Sequence, residues 1–249
     1  MGTTAFGPIV AICKRELNGY FGSAVAYVFM VIFLLLAGFF TFNISRFFEM
    51  GQADLRGFFD WHPWIFMFLI PAVAMRLWAE ERRLGTIELI LTYPVSVAQA
   101  VIGKFLAAWI FIGSALALTF PLVLTVAYLG DPDLGVVLCG YMGSILMAGA
   151  FLSIGAMTSS LSRSQVISFI LAVIICLFFV LTGYPPVTSM LTGWAPIWLI
   201  NLISSLSFLT HFASIARGVI DLRDVLYYLS VIGFMLFANA VVLQNRKTS

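Results

Sequence analysis

Charged side chains are scarce in this sequence, and their scarcity excludes a soluble globular domain. Only 10% of the 249 residues are Asp, Glu, Lys or Arg, whereas 62% are hydrophobic and 15% are aromatic. Soluble domains carry about 25% charged residues, which cover their water-facing surface. The formal net charge of +2, with 13 Lys and Arg, is also too small for a nucleic-acid-binding face. The composition therefore predicts a membrane protein.

Cysteine is almost as rare, which argues against a disulfide framework or a metal centre. The three cysteines, Cys13, Cys139 and Cys176, form no CxxC motif and no Cys/His pair. They are expected to lie at different membrane depths, so we predict free buried thiols.

Long apolar runs are what the sequence has instead. A helix rises about 1.5 Å per residue, so roughly 20 apolar residues cross the ~30 Å hydrocarbon core. Because several runs reach that length, we predict an all-α polytopic membrane protein with a single transmembrane domain over residues 1–249. The six predicted spans are residues 22–42, 63–78, 105–129, 134–157, 166–183 and 225–243.

Two segments do not fit a simple span. Residues 1–21 mix apolar side chains with Lys14, Arg15 and Glu16, which favours a helix lying in the membrane interface over a plain cytoplasmic tail. Residues 187–224 are apolar but are broken by Gly193, Pro196 and several polar residues. Two short helices that dip into one leaflet fit this segment better than a seventh span does.

The distribution of Lys and Arg predicts the orientation. Six spans place both termini on one side, which carries nine basic residues against four on the other. The positive-inside rule makes the richer side cytoplasmic. The nine are Lys14, Arg15, Arg76, Arg82, Arg83, Lys104, Arg163, Arg246 and Lys247, and the four are Arg46, Arg56, Arg217 and Arg223.

The fourth predicted span is rich in Gly, Ala and Ser. Small residues let helices approach closely in lipid, so we predict tight packing there, with a substrate path as the alternative.

Catalytic and ion-coupling patterns are missing. No predicted span has Asp, Glu, Lys or His in its core, although ion-coupled transporters need such groups at depth. There is no HExxH motif, and Gly103-Lys104 lacks the other residues of a phosphate-binding loop. His62 and His211 are far apart in sequence and favour interfacial or packing roles. An intramembrane enzyme is therefore disfavoured, and we expect a non-catalytic subunit that receives energy from a partner.

The charged stretch 80–104 is the natural contact for such a partner. Gly85 and Thr86 can start a short helix that Pro94 ends, with an exposed apolar patch suited to another protein's groove. A loop that only follows the bilayer surface is the alternative. Ser96 and Gln99 have the spacing of a capping box that begins the next helix.

Three stretches carry a family resemblance. The run from Glu80 to Ser96, with Gly85-Thr86-Ile87-Glu88-Leu89 and Pro94-Val95-Ser96, followed by Gly103-Lys104, resembles the cytoplasmic loop of type-two ABC exporter permeases. The start, Arg15-Glu16-Leu17 through Ala26-Tyr27-Val28-Phe29, resembles the gliding-motility-type (GldF-like) branch of that family. The late residues His211-Phe212 and Arg217 to Asp224 resemble the same branch.

The resemblance implies an export-type permease subunit with six transmembrane helices, an N-terminal elbow helix over 1–21, a coupling loop over 80–96 and a re-entrant helical pair in 187–224. It also implies a bacterial inner-membrane location, an ATP-binding cassette ATPase dimer that holds ATP and Mg, no cofactor in this chain, and a second permease chain, often with a large extracytoplasmic domain. The alternative is a mechanotransmission subunit that acts on a periplasmic partner without moving a substrate.

Two groups of residues follow as candidate sites. The expected contact with the ATPase comprises Glu80, Glu81, Arg82, Arg83, Gly85, Thr86, Ile87, Glu88, Ile90 and Leu91. The expected extracytoplasmic segment is marked by His211, Arg217, Gly218, Asp221, Arg223 and Asp224.

Overall fold

Every regular element in the described part of the chain is a helix. The computed structural model describes residues 6–51, 54–85, 95–191 and 195–245, without the side chains of Met50 and Leu191. The helices are α1 (Phe6–Phe21), α2 (Ala24–Phe39, continued by a π-helical turn over Phe40–Ile44), α3 (Phe47–Met50), α4 (Arg56–Phe59), α5 (His62–Ala74), α6 (Arg76–Leu84), α7 (Val97–Ala117), α8 (Phe120–Leu129), α9 (Leu134–Leu161), α10 (Gln165–Leu181), α11 (Pro185–Leu191), α12 (Ile197–Ser205), α13 (Phe208–Ile215) and α14 (Leu222–Asn245).

Within the described residues, five helical segments are long and apolar enough to cross a bilayer, which confirms a multi-pass membrane protein. They are Ala24–Glu49, Arg56–Leu84, Val97–Leu129, Leu134–Leu161 and Leu222–Asn245. Helix α10 is apolar but has only 17 residues, near the lower limit of a span. Helices α12 and α13 meet at a bend of 68° and could together form one broken span or a re-entrant pair.

Helix α9 is the centre of the fold. It packs against α14, α5 and α10, and most of its residues are buried. Its small residues permit this, since a Cβ added at Gly155 would collide with the Cβ of Ala74 on α5. The predicted tight packing of this span is therefore confirmed.

The second predicted span differs most from expectation at its charged end. The helix does not stop at Trp78 but continues through α6 to Leu84, so residues 80–83 are helical rather than part of a loop. Gly85 ends α6 in the left-handed conformation, with φ of +71°. The short helix predicted to follow it lies outside the described residues. The extension is physically reasonable because Arg82 and Arg83 lie in the last turn, where basic side chains oppose the helix dipole.

The third span also begins earlier than predicted, which moves Lys104 out of the loop. Helix α7 starts at Val97 and breaks at Leu118 and Thr119, just before Pro121. Lys104 therefore lies on the second turn of a long helix, where it is only 3% exposed.

Candidate functional site

Helix α6 carries the described part of the predicted ATPase contact, and its charged side chains face different surroundings. Glu81 turns inward, whereas Arg83 is exposed and Glu80 is half-buried. The Arg82 guanidinium donates to the backbone carbonyl of Ser160 on α9 at 2.6 Å. The remaining predicted contact residues, Thr86, Ile87, Glu88, Ile90 and Leu91, lie outside the described residues.

Lys104 connects α6 to two other helices. Its Nζ atom lies 2.6 Å from Oε1 of Glu81 on α6 and 3.3 Å from Oε1 of Glu16 on α1. The same ammonium is 5.3 Å from the centroid of the Trp78 ring, which is within cation–π range. Glu16, Glu81 and Lys104, which we call the Lys104 junction, therefore hold α1, α6 and α7 together.

The junction is charge-matched by a fourth side chain. Arg15 donates to the same Oε1 atom of Glu16 at 2.7 Å. Burial raises the pKa of Glu16, but the attraction of Lys104 and Arg15 outweighs burial and holds the pKa below its usual value. Glu16 is therefore ionised at neutral pH and lies between two cations.

Close backbone packing brings α1 to Lys104. A Cβ atom at position 103 would come within 2.9 Å of the Ile12 side chain and 3.1 Å of the Ile9 carbonyl oxygen. Only glycine fits there without moving α1, and this gives Gly103-Lys104 a role in assembling three helices.

Ser159 of α9 occupies the break between α5 and α6. Its Oγ accepts hydrogen bonds from the backbone N–H groups of Trp78 and Ala79, both at 3.0 Å, and donates to the carbonyl of Met75 at 2.9 Å. In a continuous helix the Ala79 N–H would donate directly to the Met75 carbonyl. The Ser159 hydroxyl is therefore inserted into the backbone hydrogen-bond ladder between the two helices. The insertion also ties this break in the ladder to α9.

The predicted capping box at the start of α7 is confirmed. Ser96 Oγ accepts from the Gln99 N–H, and the Gln99 side chain accepts from the Ser96 N–H. The helix that carries Lys104 therefore has a fixed beginning.

At the opposite end of the molecule, the structure joins two of the six predicted extracytoplasmic residues. His211 Nδ1 lies 2.6 Å from Oδ1 of Asp224, and Nε2 lies 3.0 Å from the Ser205 carbonyl oxygen. The imidazole is therefore held from both sides, by a side-chain carboxyl group and by a backbone carbonyl. The imidazole also stacks on Tyr227, with ring centroids 3.9 Å apart.

The other four residues form the turn between α13 and α14. Arg217 donates to the Ala213 carbonyl, Gly218 adopts a φ of +92°, and Asp221 accepts from the Arg223 N–H. Arg217, Asp221 and Arg223 are exposed and make only these local contacts among the described residues. They shape the turn and do not converge on a common point.

Of the two roles predicted for His62, interfacial or packing, the structure shows packing. This histidine is completely buried among Phe33, Phe58, Phe59 and Phe66, and its Nδ1 lies 2.7 Å from Oγ of Ser144. The Ser144 hydroxyl also contacts the Gly140 carbonyl at 2.7 Å. Both side chains have no exposed surface, so this Ser–His pair has no approach for a substrate. It serves as a polar contact between α5 and α9.

A comparison with protein families decides the class of this molecule. A family model described as ABC-2 family transporter protein matches residues 10–243. The chain belongs to the ABC-2 transporter family. The match includes all three helices of the Lys104 junction and the α13–α14 turn. No curated protein matches this ABC-2 family member. Membership makes the chain a permease-type membrane protein, in a family that in general works with an ATP-binding subunit.

Sequence reasoning missed the partners of Lys104 and the role of Ser159. Glu16, Glu81 and Lys104 are each visible as charges beside apolar runs, but nothing local indicates that they meet. Ser159 sits among many small residues, which predict packing equally well without any hydrogen bond across helices.

Proposed function

We propose that this ABC-2 family member is the export-type permease subunit of an ABC transporter, and that energy from a separate ATP-binding subunit enters through α6. The observation that carries the proposal is the Lys104 junction. It ties the charged end of the second span to both the third span and α1 by short ion pairs. A displacement of α6 is therefore passed to two further helices.

The break in the hydrogen-bond ladder at Ser159 supports the same direction of transmission. The ATP-binding subunit would press on the end of α6 and on the segment after Gly85. The α5–α6 ladder is interrupted at Met75, so α6 can tilt there without unfolding α5. The hydrogen bonds of Ser159 and Arg82 connect this tilt to α9, the central helix.

The proposal also includes the partner subunits, the orientation and the location of the chain. The partner is an ATP-binding cassette ATPase dimer that holds ATP and Mg, while this chain binds no cofactor and catalyses no reaction. Helix α1 is the elbow helix in the cytoplasmic interface, and both termini are cytoplasmic in a bacterial inner membrane. The resemblance to the GldF-like branch favours a second, different permease chain with a large extracytoplasmic domain.

The proposal is tested by measuring ATP hydrolysis of the assembled complex after residues of the predicted ATPase contact are replaced. Glu88→Lys or Gly85→Pro should leave membrane insertion and assembly intact while ATP hydrolysis no longer responds to the permease. Proline cannot adopt the positive φ observed at Gly85. Matched controls are Glu49→Lys and Gly51→Pro. Gly51 also has a positive φ, but it lies between the spans Ala24–Glu49 and Arg56–Leu84, away from the charged end of α6. If the coupling variants hydrolyse ATP and function like the controls, α6 and its loop are not the transmission point.

A mechanotransmission subunit is the second candidate, and α12 favours it. This helix has no buried residue, and its Ile197 and Trp198 side chains are 77% and 67% exposed. An apolar helix so poorly covered by its own chain suits a partner on the extracytoplasmic side as well as lipid. Reconstituted vesicles separate the two functions. ATP-dependent movement of a labelled amphiphile across the bilayer supports export, whereas ATP-dependent change at α12 with no movement supports mechanotransmission.

A further inference from the structure

A cavity of about 570 Å³ opens between α1, α2, α5–α6 and α7, beside the Lys104 junction. Its size falls within the range of small-ligand sites. Most of its wall is apolar and comes from α2 and α5, with Val28, Phe29, Ile32, Leu69 and Val73 among the lining residues. Its other end is polar and comes from α1, α6 and the start of α2. A ligand that fills it must be amphipathic.

Four polar groups at that end have no partner among the residues that the structure describes. They are the hydroxyls of Tyr20 and Ser23, the Arg76 guanidinium and the Glu80 carboxylate, none of which makes a hydrogen bond or ion pair there. Burial raises the pKa of Tyr20, so its hydroxyl stays protonated and can donate. Groups that face a cavity without partners are the ones a ligand can satisfy.

The charges on α6 define the chemistry of the ligand. Arg76 and Glu80 lie four residues apart and therefore on one face of the helix, about 5–6 Å apart at their Cβ atoms. They do not pair with each other, so the cavity presents one cation and one anion side by side. A phosphate matches Arg76, Tyr20 and Ser23, and a neighbouring ammonium group matches Glu80.

We infer that this cavity binds a membrane phospholipid whose headgroup carries both a phosphate and a primary amine, with an acyl chain along α2 and α5. Phosphatidylethanolamine has this chemistry. The cavity touches α1, α6 and Lys104, so the bound lipid contacts the same three helices that the junction joins. The inference needs only the membrane location of the chain and is independent of ATP coupling.

The test measures lipid binding to the purified full-length chain by native mass spectrometry. Delipidated protein in detergent is titrated with phosphatidylethanolamine, phosphatidylcholine and phosphatidylglycerol that share the same oleoyl chains. We expect phosphatidylethanolamine to bind about tenfold more tightly than phosphatidylglycerol, because only the former gives Glu80 a charge-assisted hydrogen bond. Phosphatidylcholine, which has a cation without an N–H donor, should fall between them.

Three variants assign the contacts. Arg76→Gln should weaken binding of all three phospholipids about tenfold, whereas Glu80→Gln should remove the preference for phosphatidylethanolamine and leave phosphatidylglycerol bound at least as well. Gly19→Leu should weaken all three, because Gly19 lines the cavity and a Cβ atom there has no protein atom within 4 Å, which leaves the cavity as the space for the added side chain. The matched controls Arg163→Gln and Gly38→Leu, which lie outside the cavity, should bind like the parent chain.

Equal binding of phosphatidylethanolamine and phosphatidylglycerol to the parent chain would overturn the inference. So would an unchanged lipid preference in Glu80→Gln, or undiminished binding in Gly19→Leu. The variants are compared only after their circular dichroism matches that of the parent chain. Failure of these tests would leave the ATP-coupling proposal untouched, because that proposal is read from ATP hydrolysis of the assembled complex.

Discussion

The two ends of this molecule each bury a charged contact, but they use it differently. At the α6 end, Lys104 on α7 contacts the preceding helix α6 and the sequence-distant helix α1, through one carboxylate on each. At the other end, His211 and Asp224 are only 13 residues apart and brace one helix turn, from α13 to α14. The first contact fixes how separate helices move relative to each other, whereas the second fixes the shape of a single segment.

The difference indicates where force can pass through the molecule. A local brace can hold a short helical pair at its bend but cannot convey motion between distant helices. The Lys104 junction can, because its loss would uncouple α6 from α1 and α7. The four predictions below test this contrast.

The largest expected effect is on the junction itself. Lys104→Met leaves Glu16 and Glu81 buried without their shared cation, so the free energy of unfolding should fall by about 3–5 kcal/mol. Reversible unfolding in mixed micelles measures the change. Lys14→Met, at an exposed lysine on α1, should change it by less than about 0.5 kcal/mol. Equal effects of the two variants would show that the junction does not hold the helices together.

The opposite end should be weaker and separable. Asp224→Asn removes the charged partner of His211, so we expect a loss of about 1.5–3 kcal/mol in the same unfolding assay. The exposed Asp131→Asn serves as the control. Because the brace is local, permease-dependent ATP hydrolysis of the complex should persist in Asp224→Asn once the protein is folded. Loss of that hydrolysis would show that the His211–Asp224 contact also takes part in transmission, which contradicts the proposed difference between the two ends.

The break in the hydrogen-bond ladder at Met75 should cost less to disturb, because the backbone can form the missing helical bond. In Ser159→Ala the Ala79 N–H can donate directly to the Met75 carbonyl, so we expect about 1–2 kcal/mol of destabilisation. Ser160→Ala is a matched control, since the Ser160 hydroxyl contacts only its own helix at the Met157 carbonyl. If both serines behave alike, the insertion of Ser159 does not stabilise this break.

The smallest effect concerns the start of α7. Ser96→Ala removes one side of the capping box and should destabilise the protein by about 1 kcal/mol. Ser189→Ala, in the short helix α11, is the comparison because the Ser189 hydroxyl contacts the Pro186 carbonyl within its own turn. An unchanged melting temperature in Ser96→Ala would mean that packing alone fixes the first turn of α7.

Parts of this fold could be predicted because they depend on local pattern. Span-length apolar runs predicted the membrane helices, and the Ser96–Gln99 spacing predicted a cap that the structure contains. The position of Lys104 could not be predicted, because burial of a lysine depends on carboxylates contributed by other helices. The role of Ser159 could not be predicted for a similar reason, since its hydrogen-bond partners lie about 80 residues away in the sequence.

At the end of α6, the local pattern predicted a loop where the structure has a helix. Four charged residues in a row suggested a loop, yet a helix continues once it leaves the hydrocarbon core, because its backbone hydrogen bonds need no apolar side chains. Gly85 ends α6, which only its positive φ shows. The sequence left His62 with an interfacial or a packing role, and its burial by aromatic neighbours selects packing.

The central claim is that α6 and α1 move as one unit when the ATP-binding subunit acts. Spin labels placed at the exposed positions Leu84 and Val10, in a chain with Cys13 replaced by serine, report the distance between these helices in the assembled complex. Nucleotide binding should leave the Leu84–Val10 distance unchanged while the distance from Leu84 to Tyr128, at the far end of α8, shifts. In Lys104→Met the distribution of Leu84–Val10 distances should broaden, or its mean should shift. A nucleotide-dependent change between Leu84 and Val10 in the parent complex would contradict the account.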